Sequence, residues 1–112
     1  MSDNIRTLEP AGVLDGKQAN ELRSEVIDIL KEGADIILID LKNVTFMNSS
    51  GIGALVSTLK SVRAAKSQLL LCSLSDQVKT IFQLTKMDRV FQSLANRDEF
   101  EQKFPSASKS LS

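Results

Sequence analysis

The sequence contains no histidine and a single cysteine, and these two shortages exclude several classes of chemistry. Without histidine the chain lacks the commonest general base and metal ligand, so no Ser-His or Cys-His nucleophile can form. Cys72 lies in the apolar run of residues 69–72, where it has no partner for a disulfide or a thiol metal site. We therefore predict a buried, inert thiol, no catalytic residues, no metal and no cofactor, and we expect that the protein is not an enzyme.

The charges of the chain balance, and no long hydrophobic run is present. Lysine and arginine number 14, as do aspartate and glutamate, so no net field attracts nucleic acid or anionic lipid. No stretch approaches the ~18 uninterrupted apolar residues of a membrane span, and residues 1–10 contain no signal-peptide core. We expect a cytoplasmic protein that binds neither nucleic acid nor membranes.

The first third of the chain predicts two short strands and a helix. Residues 5–9 and 12–14 read as strands, and Pro10 between them indicates an edge or a bulge because it cannot donate to a sheet. The helix that follows should end near Gly33, a residue typical of helix C-termini. Its apolar face repeats at spacings of three and four: Ala19, Leu22, Val26, Ile29 and Leu30.

The middle of the chain predicts a buried strand and a second helix. The continuous apolar run of residues 36–39 is typical of a strand covered on both faces, and we predict that it is the central strand. Residues 42–48 are predicted as a loop, and a helix should begin at Ser49 or Ser50. Residues 69–72 predict a further buried strand.

The last third predicts two capped helices around a short strand. Ser75 should cap a third helix, residues 90–91 should form a short last strand, and Asn96 should cap a final helix. Two aromatic residues anchor that final helix: Phe100 and Phe104. The alternation of strands and helices predicts an α/β fold, with a mixed, mostly parallel β-sheet and about four α-helices. We predict one domain over residues 1–104 and a disordered tail over residues 105–112.

The richest segment chemically is the strand-to-helix turn around residue 49. Asn48, Ser49 and Ser50 place an amide and two hydroxyls where the free N–H groups of a helix face outward. Helix capping alone accounts for these residues, since asparagine and serine are preferred caps. Residue chemistry by itself therefore leaves capping and a functional role open.

Gly51 and Gly53 at the start of this helix imitate part of a dinucleotide-binding fingerprint. The imitation is incomplete, because Val56 occupies the place of the third glycine or alanine. The chain is also too short to supply the usual second mononucleotide-binding half. Nucleotide binding is therefore one hypothesis for this turn, and a flat titration with labelled nucleotides would exclude it.

Two segments resemble the phosphorylation-site region of STAS-domain anti-sigma factor antagonists: residues 35–41 (DIILIDL) and 44–55 (VTFMNSSGIGAL). The resemblance extends to residues 12–15 (GVLD) and 84–91 (LTKMDRVF), and it implies a STAS-like single domain. In that family the first serine of an Asp-Ser-Ser-Gly pattern is phosphorylated. The corresponding residue here is Ser49.

The resemblance also implies partners and a switch. The unphosphorylated form would bind an anti-sigma factor that is also a serine kinase of the histidine-kinase-like ATPase type, and a sigma factor would be released. Phosphorylation of Ser49 would end this binding, and a PP2C-type phosphatase would reset the cycle. The residues implied to flank the phosphosite and bind the partner are Asn48, Ser50, Gly51 and Asp15.

The chain departs from the family pattern at Asn48, where members usually carry aspartate. Asparagine can cap the helix but has no charge, which leaves the rate of phosphorylation open. The segment before residues 12–15 is also short.

An alternative hypothesis is that the protein is a STAS interaction module without a switch, within a larger regulatory or lipid-transport assembly.

Overall fold

The computed structural model describes residues 4–104, and its helices and strands alternate along the chain. The predicted tail over residues 105–112 lies outside the described residues. The strands are β1 (Ile5–Leu8), β2 (Ala11–Leu14), β3 (Ile36–Asp40), β4 (Asn43–Met47), β5 (Gln68–Cys72) and β6 (Ser93–Leu94). The helices are α1 (Gly16–Lys31), α2 (Ser49–Ala64), α3 (Asp76–Leu84) and α4 (Arg97–Lys103), with a short 3₁₀ helix at Met87–Arg89.

The strands form two sheets rather than one. A four-stranded sheet has the order β1-β3-β5-β6, and a two-stranded sheet pairs β2 with β4. The predicted α/β class with four helices and a mostly parallel sheet is confirmed, and β3 lies inside the larger sheet. The expected mixed pairing is not found within residues 4–104, where each strand pair is parallel. The reason is that the chain passes from β1 into the other sheet at Pro10 and does not turn back as a hairpin.

Two local predictions were wrong. The predicted loop at residues 42–48 contains β4, whose alternation is obscured by a register shift opposite Gly12 and Val13. The last strand is Ser93–Leu94 and not residues 90–91. Phe91 is instead a core residue, with its ring centroid 5.7 Å from that of Phe82. Its apolar character reflects packing and not strand formation.

The predicted helix boundaries agree with the structure. α1 ends at Lys31, and Gly33 then adopts a φ of 93°, which a side chain would disfavour. Ser75 caps α3 by accepting a hydrogen bond from the Val78 N–H, and Asn96 caps α4 in the same way. Within residues 4–104, no helix combines the length and the apolar character needed to cross a bilayer.

The four-stranded sheet separates two hydrophobic cores. All five residues of β3 are buried, as predicted for a strand covered on both faces. Ile37 and Ile39 belong to the larger core, which includes α1 and α2, whereas Leu38 belongs to a smaller core with Phe100 of α4. The central strand therefore anchors helices on both sides.

Candidate functional site

The candidate site lies at the edge where β2 and β4 both end. These strands are parallel, and Leu14 lies opposite Met47. The next residue of each strand, Asp15 and Asn48, is the N-cap of the helix that follows, α1 and α2 respectively. The parallel register therefore brings two helix N-termini together at one edge of the small sheet.

The two caps use the same hydrogen-bond geometry. The Asp15 carboxylate accepts a bond of 2.9 Å from the backbone N–H of Gln18. The Asn48 amide oxygen accepts a bond of 2.8 Å from the N–H of Gly51. Asparagine thus performs the capping that the usual aspartate would perform, without adding a negative charge to the turn.

The two serines at the start of α2 have different surroundings. Ser49 and Ser50 are both exposed. A Cβ built on Gly16, the first residue of α1, would lie 3.1 Å from the Cβ of Ser50. Ser50 therefore adjoins the neighbouring helix, and Ser49 is the first helical residue after the cap.

Gly51 is buried because β2 approaches the first turn of α2 very closely. A Cβ built at this position would lie 2.0 Å from the carbonyl oxygen of Leu14. A Cβ at Gly53, by contrast, would meet nothing within 4 Å. Close strand-to-helix packing thus explains Gly51 without invoking a nucleotide.

An exposed apolar pair adjoins the turn. Val13 and Phe46 lie opposite each other in the β2–β4 register, and each is 49% exposed. They precede Asp15 and Asn48 by two residues. Sequence reasoning missed this pair because the register shift next to it hides which face each residue occupies. Within the described residues, the other exposed large hydrophobic side chain is Leu84, at the end of α3.

The predicted site residues are therefore brought together at one edge. Asp15, Asn48, Ser49, Ser50 and Gly51 all lie where β2 and β4 meet α1 and α2. They form a polar turn whose serines are accessible and whose neighbour is the apolar pair of Val13 and Phe46. Within residues 4–104 no cluster of three or more histidine, cysteine, aspartate or glutamate residues could hold a metal ion.

Comparison with known proteins relates this chain to one domain family and to a named relative. A family model described as the STAS domain matches residues 1–102. The anti-sigma-B factor antagonist of Listeria monocytogenes is 33% identical over 84 residues, which cover 73% of this chain and 72% of that protein.

Solved structures share the fold at lower identity. The anti-sigma factor antagonist SpoIIAA in its unphosphorylated form has a TM-score of 0.71 at 17% identity, over 91% of this chain and 90% of that chain. Bacillus SpoIIAA in its phosphorylated form has a TM-score of 0.65 at 17% identity, covering 91% and 94%. The STAS domain of a SulP transporter from Vibrio cholerae has a TM-score of 0.71 at 16% identity, covering 99% and 86%. The match of the family model along nearly the whole chain, on this fold, shows that the protein belongs to the STAS domain family.

Proposed function

We propose that this protein is an anti-sigma factor antagonist that phosphorylation of Ser49 switches off. The unphosphorylated form binds an anti-sigma factor that is also a serine kinase of the histidine-kinase-like ATPase type, and a sigma factor is released. A PP2C-type phosphatase restores the binding form. The protein is the substrate of this cycle, acts in the cytoplasm and catalyses no step itself.

The observation that carries the proposal is an exposed serine beside an exposed apolar pair. Ser49 begins α2, and Val13 and Phe46 lie on the strands that lead into the same edge. Apolar side chains next to polar groups are typical of surfaces that bind another protein. The name of the Listeria relative and the two forms of SpoIIAA support the same role.

The electrostatics of the turn suit a switch that needs no refolding. A phosphoserine adds ~1.5 to 2 negative charges, and the N-terminus of α2 stabilises them by about 0.3–1 kcal/mol. Asn48 is neutral and adds no negative charge that would repel the phosphate. A partner that covers the turn must instead desolvate the phosphate, which costs several kcal/mol without a matched cation and lowers affinity by orders of magnitude.

Substitution of Ser49 tests the switch. Ser49→Ala should bind the cognate kinase persistently and take up no phosphate, whereas Ser49→Asp should bind at least about tenfold more weakly because it adds charge under the partner. Affinity is measured by calorimetry or by pull-down with the unphosphorylated protein. Ser57, an exposed serine further along α2, provides matched Ala and Asp controls that should change neither property.

The phosphate position is tested separately. After incubation with kinase and ATP, mass spectrometry of the phosphopeptide should place the phosphate on Ser49. A phosphate on Ser50 would move the assignment by one residue, and equal binding of Ser49→Ala and Ser49→Asp would contradict the switch.

A second candidate function is a STAS module without a switch inside a larger assembly. The shared fold with a transporter STAS domain favours it. Under this alternative, native mass measurement of complexes isolated from cells would show a stable assembly that is unaffected by phosphatase treatment. The phosphoswitch instead predicts a binary complex that phosphatase treatment strengthens.

A further inference from the structure

A cluster of charged side chains lies where the chain crosses between the two sheets. The chain passes directly, without an intervening helix, from the four-stranded to the two-stranded sheet at residues 9–10 between β1 and β2 and at residues 41–42 between β3 and β4. We call these segments the two links. The charged residues on or beside them are Glu9, Asp40, Lys42 and Arg97, here called the link cluster.

Arg97 contacts both links with one side chain. Its Nε donates a 2.8 Å hydrogen bond to Oδ2 of Asp40, which immediately precedes the second link. Its Nη2 donates to Oε1 of Glu9, which lies in the first link. Because the guanidinium group is planar and rigid, these two bonds hold the carboxylates in a set relative position.

The Asp40 carboxylate is buried and depends on its pairing with Arg97. The Asp40 side chain is only 1% exposed, because the residue ends β3 in the interior of the larger sheet. Its second oxygen accepts a 3.0 Å bond from the backbone N–H of Lys42, within the second link. A buried carboxylate needs a cationic partner, and the Lys42 Nζ is 4.0 Å from it, compared with 2.8 Å for Arg97 Nε. Arg97 is therefore the principal counter-charge.

We infer that Arg97 is a positioning residue that clamps both links and thereby fixes the two-stranded sheet against the four-stranded one. The small sheet carries Asp15 and Asn48 at its carboxyl edge, so the clamp also orients the turn at Ser49. Arg97 is the first residue of α4, and Phe100 anchors that helix in the smaller core. The position of α4 is thus coupled to the turn through the link cluster.

Hydrogen exchange of backbone amides tests the clamp. In Arg97→Gln the amides of β2 and β4 should accelerate at least about fivefold more than those of β3 and β5, because the small sheet loses its fixed position in addition to the general destabilisation from the weakly paired Asp40 carboxylate. Arg6→Gln is the matched control: it removes an ion pair with Glu32 that does not touch either link. That control should leave β2 and β4 unchanged.

Two milder variants apply if Arg97→Gln fails to fold. Glu9→Ala leaves the Asp40 pair intact and removes the acceptor in the first link, so exchange should accelerate in β2 more than in β4. Arg97→Lys keeps the charge without the planar fork and should restore the β4 rates more fully than the β2 rates. Unchanged exchange in Glu9→Ala, or an equal increase in all strands, would overturn the clamp.

The effect of the clamp on phosphorylation rests on the proposed function, whereas the exchange experiment uses no kinase. Arg97→Gln should take up phosphate at Ser49 more slowly, and Arg97→Lys should recover part of that rate. A selective exchange effect with no phosphate uptake even in the unmodified protein would overturn the proposed function alone. Normal phosphate uptake with unchanged exchange would overturn the clamp alone.

Discussion

At the scale of single residues, Gly51 and Gly53 show that the same residue type serves different needs two positions apart. The first faces the Leu14 carbonyl oxygen across a gap that excludes a Cβ, and the second faces open space. The motif GIG thus contains one glycine required by packing and one that packing does not require. Local sequence cannot distinguish them, because the contact of Gly51 comes from β2.

We expect Gly51→Ala to destabilise the protein by about 2–4 kcal/mol, since the backbone of β2 or α2 must shift to admit the methyl group. Urea denaturation measures the loss. Gly53→Ala is the matched control and should stabilise by about 0.5–1 kcal/mol, because alanine is the better helix former and has room. Equal effects of the two substitutions would contradict the close contact.

At the scale of elements, the β2–β4 ribbon is the feature that builds the candidate site. Gly12 adopts a φ of 80° beside the register shift, and Val13 and Phe46 then face outward while Leu14 and Met47 face the core. Both strands lead directly into helix caps. A short ribbon therefore presents an apolar pair and two helix N-termini together.

If the proposed function holds, we expect Phe46→Ser to weaken binding of the anti-sigma factor at least about tenfold. The free energy of unfolding should fall by no more than about 1 kcal/mol, since the ring is half exposed. Calorimetric titration and urea denaturation measure the two quantities. Leu84→Ser alters a more exposed apolar residue on a different element, at the end of α3, and should leave binding unchanged. Equal loss of binding in both variants would show that general surface hydrophobicity, and not the apolar pair, is responsible.

At the scale of the whole molecule, the interior of the larger sheet holds a thiol and a carboxylate side by side. Cys72 lies opposite Asp40 in the β3–β5 register, and both are almost fully buried. Burial raises the pKa of the Cys72 thiol, Asp40 raises it further, and Ser73 and Lys42 act in the opposite direction. The predicted burial of the thiol is confirmed.

The raised pKa of Cys72 makes stability depend on pH in a defined direction. In the unfolded chain the thiol ionises near about pH 8.5, whereas in the folded protein it stays protonated to higher pH. The protonated thiol's contribution to the free energy of unfolding is therefore complete below about pH 8.5 and is lost as pH rises through the folded pKa. Between pH 8 and 10, the free energy of unfolding should fall more steeply for the unmodified protein than for Cys72→Ala. Denaturant titrations at several pH values compare the slopes, and parallel slopes would contradict the prediction.

Several local features of this protein followed from its sequence alone. The apolar run of residues 36–39 predicted a strand buried on both faces, and the caps at Ser75 and Asn96 were predicted correctly. These features depend on neighbours within about one helical turn, or on the periodicity of a single element. The resemblance to a known family pointed to the turn at Ser49, which residue chemistry alone would have explained as a cap.

Only the tertiary structure decided how distant segments meet. The strand β4 was predicted as a loop because its partner β2 is some 30 residues away and the pair contains a register shift. The close contact of Gly51 with Leu14 and the bond from Arg97 to Asp40, 57 residues apart, also escape any local pattern. Propensity and periodicity describe interactions along one element, whereas these contacts exist only after the chain has closed long loops and packed its sheets.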